Sequence, residues 1–316
     1  MRGFWVLGVL LLVGCGAGEE ISTDDDALTG DVDQDGIQDA FEKKLILEYA
    51  PEVRLHPNDW TRPANVDWYL DRTSLRFSHE HCPDHEVLSA GEATQTTLSQ
   101  QKHATTNFFC GHTSTIESSN DAHGEFFLHP TSDDVHRGIA DGSAWKMYAH
   151  VKKSAVASGG YDVQFWFFYA YDFFKYGLNH EADWEHITVT TDANGKVVTV
   201  WYAQHDYGVR YERGDLAWSG THPVVYSAIG THASYATAGE FPTHWPTMPD
   251  HTANGGPVWR GWQNVVNVGE KHHPMKGQRF IEYGGRWGAE GLFDARYSTG
   301  TAAPMTPTVQ GAWSKY

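Results

Sequence analysis

Val163-Gln164-Phe165-Trp166-Phe167-Phe168-Tyr169-Ala170-Tyr171 is apolar at odd and even positions alike. Such a run reads as a strand buried on both faces, and therefore as a central one. Working outward, residues 145–152 (WKMYAHVK) alternate apolar and polar, which predicts a half-exposed strand. Residues 186–191 and 196–204 flank Asp192-Ala193-Asn194-Gly195, a hairpin signal. Residues 223–229 (PVVYSAI) predict another buried strand. Convincing helical patterns are few after residue 50. Strands punctuated by turns at short spacing predict a mainly β protein, an antiparallel β-sandwich with a short helical N-terminal extension. Residues 84–145, rich in Ser, Thr, His and Gly, match no element clearly.

The first residues read as an address. Arg2 precedes an apolar run from Gly3 to Val13, 11 residues long. That is too short for a membrane span of ~20 residues and suits a secretory leader. Leu12-Val13-Gly14-Cys15 resembles the lipobox of bacterial lipoproteins, which implies lipidation (palmitate among the chains) at Cys15. The expected division is a signal peptide over 1–14, a flexible polar tether over 15–30, a calcium-type loop and helix over 31–50, and the sandwich over 51–316. The expected location is the cell envelope, at the outer membrane or cell surface, with the membrane as partner. The two remaining cysteines, Cys82 and Cys110, form one disulfide in an oxidising compartment or stand as two buried thiols.

The net charge is −17, from 23 Lys+Arg against 40 Asp+Glu. This excludes a nucleic-acid partner, which needs a basic face against phosphate. Part of the acidity is local. In DVDQDGIQDAFE, Asp31, Asp33, Asp35, Ile37, Asp39 and Glu42 fall at loop positions 1, 3, 5, 7, 9 and 12, with Gly36 at the sharp turn. This is the oxygen-ligand spacing of a Ca²⁺ loop, the seventh position serving through its carbonyl. The alternative is a solvated acidic turn. Ile37, Phe41, Leu45 and Tyr49 recur every four residues and predict a helix that Pro51 stops.

A second acidic group lies at residues 172–185 (DFFKYGLNHEADWE). Asp183 and Glu185 are two apart and share a face on a strand, a face that continues into Ile187 and Val189. Asp172 ends the preceding strand, and the connection returns His180 beside it. Carboxylates so close repel unless protons or a cation compensate them. A hard divalent ion (Mg²⁺, Ca²⁺ or Mn²⁺) on three oxygen ligands and one imidazole satisfies this, as would a hydrogen-bonded acidic cluster.

Asn179-His180-Glu181-Ala182-Asp183-Trp184-Glu185 resembles the HEGDWE core of the vacuolar protein sorting-associated protein 62-like family. It resembles, more distantly, the GHRHDWE heptad of the necrosis- and ethylene-inducing peptide-like proteins. Further blocks agree: Tyr49-Ala50-Pro51, Leu55-His56-Pro57, Pro63-Ala64-Asn65-Val66, Gln204-His205, residues 222–226 (HPVVY), residues 230–235 (GTHASY), Asn254-Gly255-Gly256 and residues 284–288 (GGRWG). The resemblance covers roughly 49 to 290. It implies a β-sandwich and a metal held by Asp172, His180, Asp183 and Glu185. Glu181-Ala182 replaces the Arg-His pair of the toxin heptad, so the resemblance does not imply cytolysis.

The expected function is a lipid-anchored, metal-binding surface module that engages a membrane, glycan or glycolipid. Glu181, Trp184, His205, His222 and His232 are the candidate pocket residues, with Trp184, Tyr207 and Trp218 stacking on sugar. A divalent-metal hydrolase using Glu181, His205 or His232 as base is the second expectation. No GxSxG, HExxH or P-loop pattern supports it. A surface scaffold with a purely structural metal is the third.

Overall fold

The structure, a computed structural model, describes residues 30–79, 82–104, 113–115, 126–174, 179–243, 248–289 and 303–315. The expected signal peptide, Cys15 and nearly all of the tether lie outside these residues. So does Cys110, and with it the expected disulfide.

The apolar run of the opening stretch is the middle of the sheet. Strand Tyr161–Asp172 pairs antiparallel with strand His180–Thr191, in one register from Tyr161↔Thr191 to Asp172↔His180. Six strands form this sheet, in the order Tyr207–Glu212, Val197–Gln204, His180–Thr191, Tyr161–Asp172, Met147–Lys153 and Val265–Asn267. The 191-to-197 connection follows the expected turn. Asp192 accepts hydrogen bonds from the N–H groups of Asn194 and Lys196, and Gly195 takes φ +78°, which glycine adopts without strain.

Both faces of this sheet are covered. On one, strands Glu52–Arg54, His222–Ser227 and Val258–Arg260 form the core of a second sheet. Phe167 packs edge-on to Trp259 at 5.8 Å, and Tyr202 donates its hydroxyl to the carbonyl of Val224 at 2.9 Å. On the other face, Trp287 packs against Phe168 at 5.2 Å, Trp184 at 5.3 Å and Phe280 at 5.9 Å. The fold is therefore a mainly β sandwich with few helices. Helix Asp39–Tyr49 lies where the four-residue repeat put it and ends before Pro51. It joins the body through Leu45 and Ile46 in the core, and Tyr49 donates to the carbonyl of Gly195 at 2.7 Å.

Two local expectations change. The strand expected to be half-exposed is buried over Met147–Val151. Val265–Asn267 covers its edge in parallel, and His150 hides its polarity by stacking on Trp313 at 3.7 Å and bonding Glu270 at 2.9 Å. The unassigned region supplies strands Cys82–Leu88 and Phe126–Pro130, which pair with or flank Thr73–His79 in a three-stranded sheet.

Trp287 is completely buried, and its indole N–H donates to Thr306 Oγ1 at 2.9 Å. Trp287→Ala is expected to destabilise the protein by about 3–5 kcal/mol, read from urea unfolding midpoints. A loss below about 1 kcal/mol would show that this ring does not organise the second core layer.

Candidate metal centre

The candidate centre sits at the open end of the central hairpin. In a regular strand Glu181 and Asp183 would share a face. They do not. Glu181 meets His129 Nδ1 at 3.0 Å and accepts from the Ala289 N–H at 2.9 Å, whereas Asp183 Oδ2 meets His232 Nδ1 at 2.9 Å. Between them Ala182 takes φ +55°, a left-handed conformation uncommon outside glycine. This reversal brings His180 to the Asp183 side. Ligand atoms of Asp172, His180 and Asp183 lie within 4.8 Å of one another. His180 Nδ1 donates to the Ala182 carbonyl at 2.7 Å, which leaves Nε2 as the lone-pair nitrogen, 3.6 Å from Asp172 Oδ2.

Glu185 stands beside this trio but outside its 4.8 Å grouping. Burial, then the charge of Asp183, pushes the carboxyls of Asp172 and Glu185 well above the usual carboxylate range. Asp172 Oδ1 is buried with no hydrogen-bond partner. A set of carboxylates, one imidazole and an orphaned oxygen suits a hard divalent cation.

Two histidine–carboxylate pairs back the centre. His232 is fully enclosed and stacks on Tyr169, ring centres 3.7 Å apart. The Thr61 hydroxyl donates to Asp59 Oδ1 at 2.6 Å, so its oxygen accepts from His232 Nε2 at 2.8 Å. Nδ1 faces Asp183 Oδ2 at 2.9 Å, so both ring nitrogens are engaged by oxygen partners. Burial alone would lower the pKa of His232. The hydrogen bond to Asp183 and the charges of Asp59, Asp183 and Asp172 outweigh it, and the net shift is upward. His205 Nε2 meets Asp250 Oδ2 at 2.8 Å, and Asp250 also accepts from Thr231 and Tyr235 at 2.8 Å each. Burial opposes the charge on His205 too, and Asp250 again overrides it. Ala182, His205 and His232 are three of the four non-glycine residues with positive φ among the described residues. Strain held in place at one site is a mark of function.

The candidate pocket divides. His205 and His232 adjoin the candidate ligands, and Tyr207 lines a cleft with Glu185, Trp201 and His205. Glu181 is turned to the opposite face. Trp184 also lines that cleft, but its ring is largely buried, stacked parallel to Phe280 at 5.8 Å. His222 lies in the second sheet, bonded to the Ala50 carbonyl at 2.8 Å and stacked on Trp262. Trp218 is also in that sheet, beneath the Arg213 guanidinium at 4.6 Å. Asp59, Thr61 and Asp250 escape the sequence reading because they approach from parts of the chain distant in sequence, Asp250 from the start of strand Asp250–Thr252. The aromatics that do stand exposed are Trp60, next to Asp59 and Thr61, and Phe173, next to Asp172. Their rings meet edge-on at 5.5 Å.

The model of the family described as vacuolar protein sorting-associated protein 62 matches residues 38–243. The Saccharomyces cerevisiae protein of that description is 28% identical over 184 residues, a match covering 45% of this chain and 39% of the yeast protein. The chain thus spans well under half of that relative. Among solved structures, the non-toxic HaNLP3 protein aligns with a TM-score of 0.39 and 11% identity, covering 81% of this chain and 86% of its own. NLPPya in complex with glucosamine aligns with a TM-score of 0.36 and 11% identity, covering 75% and 77%. The match across residues 38–243 takes in the helix, the opening strands and every proposed metal ligand of the hairpin, and the chain belongs to the vacuolar protein sorting-associated protein 62 family.

Proposed function

We propose that this chain is an envelope protein, lipid-anchored at Cys15, whose Asp172/His180/Asp183/Glu185 centre holds a divalent cation (Mg²⁺, Ca²⁺ or Mn²⁺) and so shapes a surface that docks on a membrane or glycolipid headgroup. One observation carries the binding role. Trp60 and Phe173, the exposed aromatic side chains among the described residues, each lie one residue from a member of the centre or its backing. An aromatic edge beside a cation suits an interface that is apolar on one side and polar on the other. The cation would hold Asp172 and the chain around it, and Phe173 N already donates to the Gly230 carbonyl at 3.0 Å. Hydrolysis is less well served. His232 has both ring nitrogens engaged, by Thr61 and Asp183, and a general base needs a free lone pair.

Asp183→Asn is expected to abolish divalent-cation binding at the hairpin centre, read as the loss of one site in calorimetric titration. His232→Ala, which removes only the backing, is expected to weaken it roughly 10–100-fold. Wild-type affinity in both variants would remove this centre from metal binding.

Trp60→Ser with Phe173→Ser is expected to reduce cosedimentation with glycolipid-containing vesicles about tenfold or more, a change of about 1.4 kcal/mol, while cation affinity stays unchanged. Chelation of the wild type should have the same effect on vesicles. Vesicle binding indifferent to both treatments would overturn the docking role. Cys15→Ser should release the protein from the membrane fraction; retention there would exclude the lipid anchor.

A further inference from the structure

The loop over residues 31–42 is built around a point that no protein group occupies. Asp31 Oδ2 accepts from Gly36 N at 3.0 Å, Asp35 Oδ1 from Ile37 N at 2.6 Å, and Asp39 Oδ1 from Val32 N at 3.1 Å. Glu42 Oε2 accepts from the Asn267 side-chain amide at 3.1 Å. In each case the other oxygen (Asp31 Oδ1, Asp35 Oδ2, Asp39 Oδ2, Glu42 Oε1) is buried without a partner, and Asp33 has neither oxygen bonded. Asp33 is 1% exposed and Glu42 is 0% exposed. Ligand atoms of Asp31, Asp33 and Asp35 lie within 4.8 Å of one another, as do those of Asp33, Asp39 and Glu42. Asp33 belongs to both trios and links them.

Unpaired buried carboxylates are costly, and a few such oxygens in one place need a positive charge. Among the described residues, none of these five acids forms an ion pair with Lys or Arg. Burial, then Asp35 and Glu270, pushes Asp33 up to about 7. Burial, then Asp33, Asp35 and Asp39, pushes Glu42 up to about 9. The turn itself is held in a special shape, with φ +63° at Gln34 and +81° at Gly36.

We infer that residues 31–42 bind Ca²⁺ in a second centre, independent of the hairpin centre, and that this ion bolts the N-terminal loop and helix to the edge of the six-stranded sheet. Asn267, which holds Glu42, ends the strand Val265–Asn267 at that edge. Gly269 follows with φ +71°, and a Cβ there would come within 3.0 Å of the Asp33 Cβ, so the sheet edge presses directly on the loop. Glu42 also lies in the first turn of helix Asp39–Tyr49, whose Leu45 and Ile46 enter the core. A single ion thus ties loop, helix and sheet. Five carboxylates with the Ile37 carbonyl available supply the six or more oxygens that Ca²⁺ takes. Mg²⁺ is smaller, demands octahedral geometry and keeps its waters.

The test is calorimetric Ca²⁺ titration and thermal unfolding of the full-length chain as wild type, as Asp33→Asn with Glu42→Gln, and as Asp183→Asn. The Asp183→Asn protein should still bind one Ca²⁺ and melt roughly 5 °C or more higher at saturating Ca²⁺. The loop variant should lose that site and that rise, yet in chelator melt no lower than wild type, because mutual repulsion has been removed. Asp31→Asn, at a less buried ligand, should weaken binding at least tenfold if the double variant does not fold. The inference is overturned if the Asp183→Asn protein binds no Ca²⁺ at millimolar concentration, if the loop variants keep the wild-type stoichiometry and rise, or if Mg²⁺ produces the same rise at the same concentration. Loss of the hairpin centre alone would appear as a change confined to the Asp183→Asn comparison.

Discussion

Negative charge buried in a β core has to be answered, and much of this structure follows from how it is answered around Asp183. The carboxylate lies on the central hairpin, between two sheets, where water cannot screen it. His232 meets it on one side, with its pKa raised by Asp183 and Asp59, and Asp59 with Thr61 fixes that ring from behind. The stacked Tyr169 keeps the imidazole flat against the sheet. Removing one partner would leave the other as an unpaired buried charge, which is far more damaging than the loss of an ordinary hydrogen bond. The two histidines in left-handed backbone, His205 and His232, are each paired with a buried carboxylate.

The apolar hairpin makes this possible. Because Val163–Tyr171 is buried on both faces, the sheet can carry an aromatic layer on one side and a polar cluster at its end on the other. The reversal at Ala182 is the point of exchange. It sends Glu181 toward His129 and Ala289 while His180 turns back to Asp172 and Asp183. A glycine there would relieve the φ but leave the backbone less determined. Alanine keeps a Cβ in a completely buried place and accepts the strain.

The strands of the hairpin, the 192–195 turn and the helix before Pro51 were legible in sequence, because each is decided by residues close together in the chain. Asp172, His180, Asp183 and Glu185 were legible for the same reason: one hairpin carries them all. Period-two reasoning failed at Ala182, where one left-handed residue changed the face of Glu181. Trp184 looked like a surface stacker because its neighbours are acidic, but alternation at that position points it to the Phe280 layer. His222 belongs to the second sheet, and its distance from the centre is a matter of topology that no local pattern carries. Asp59, Thr61 and Asp250 are missed for the converse reason. They converge on the site only after the second sheet and its loops are in place.

The two acidic centres meet the same electrostatic demand by different means. Around Asp183 the protein sets two imidazoles, His232 and His205, against carboxylates that favour their charged form and raise their pKa values against burial. Around Asp33 no Lys or Arg closes an ion pair with the five acids among the described residues, although Lys152 and Lys153 line the adjoining cleft, and the outer oxygens of Asp31, Asp35, Asp39 and Glu42 are each tied to an amide. A hydrogen-bond donor orients a carboxylate without cancelling its charge, so the loop is arranged yet not compensated. Backbone amides can hold such a loop only against a repulsion that grows as the acids ionise. The net charge of −17 therefore has an uneven meaning along the chain. At the hairpin it describes carboxylates paired with imidazoles, whereas at residues 31–42 it describes a shape that makes physical sense with a cation inside it.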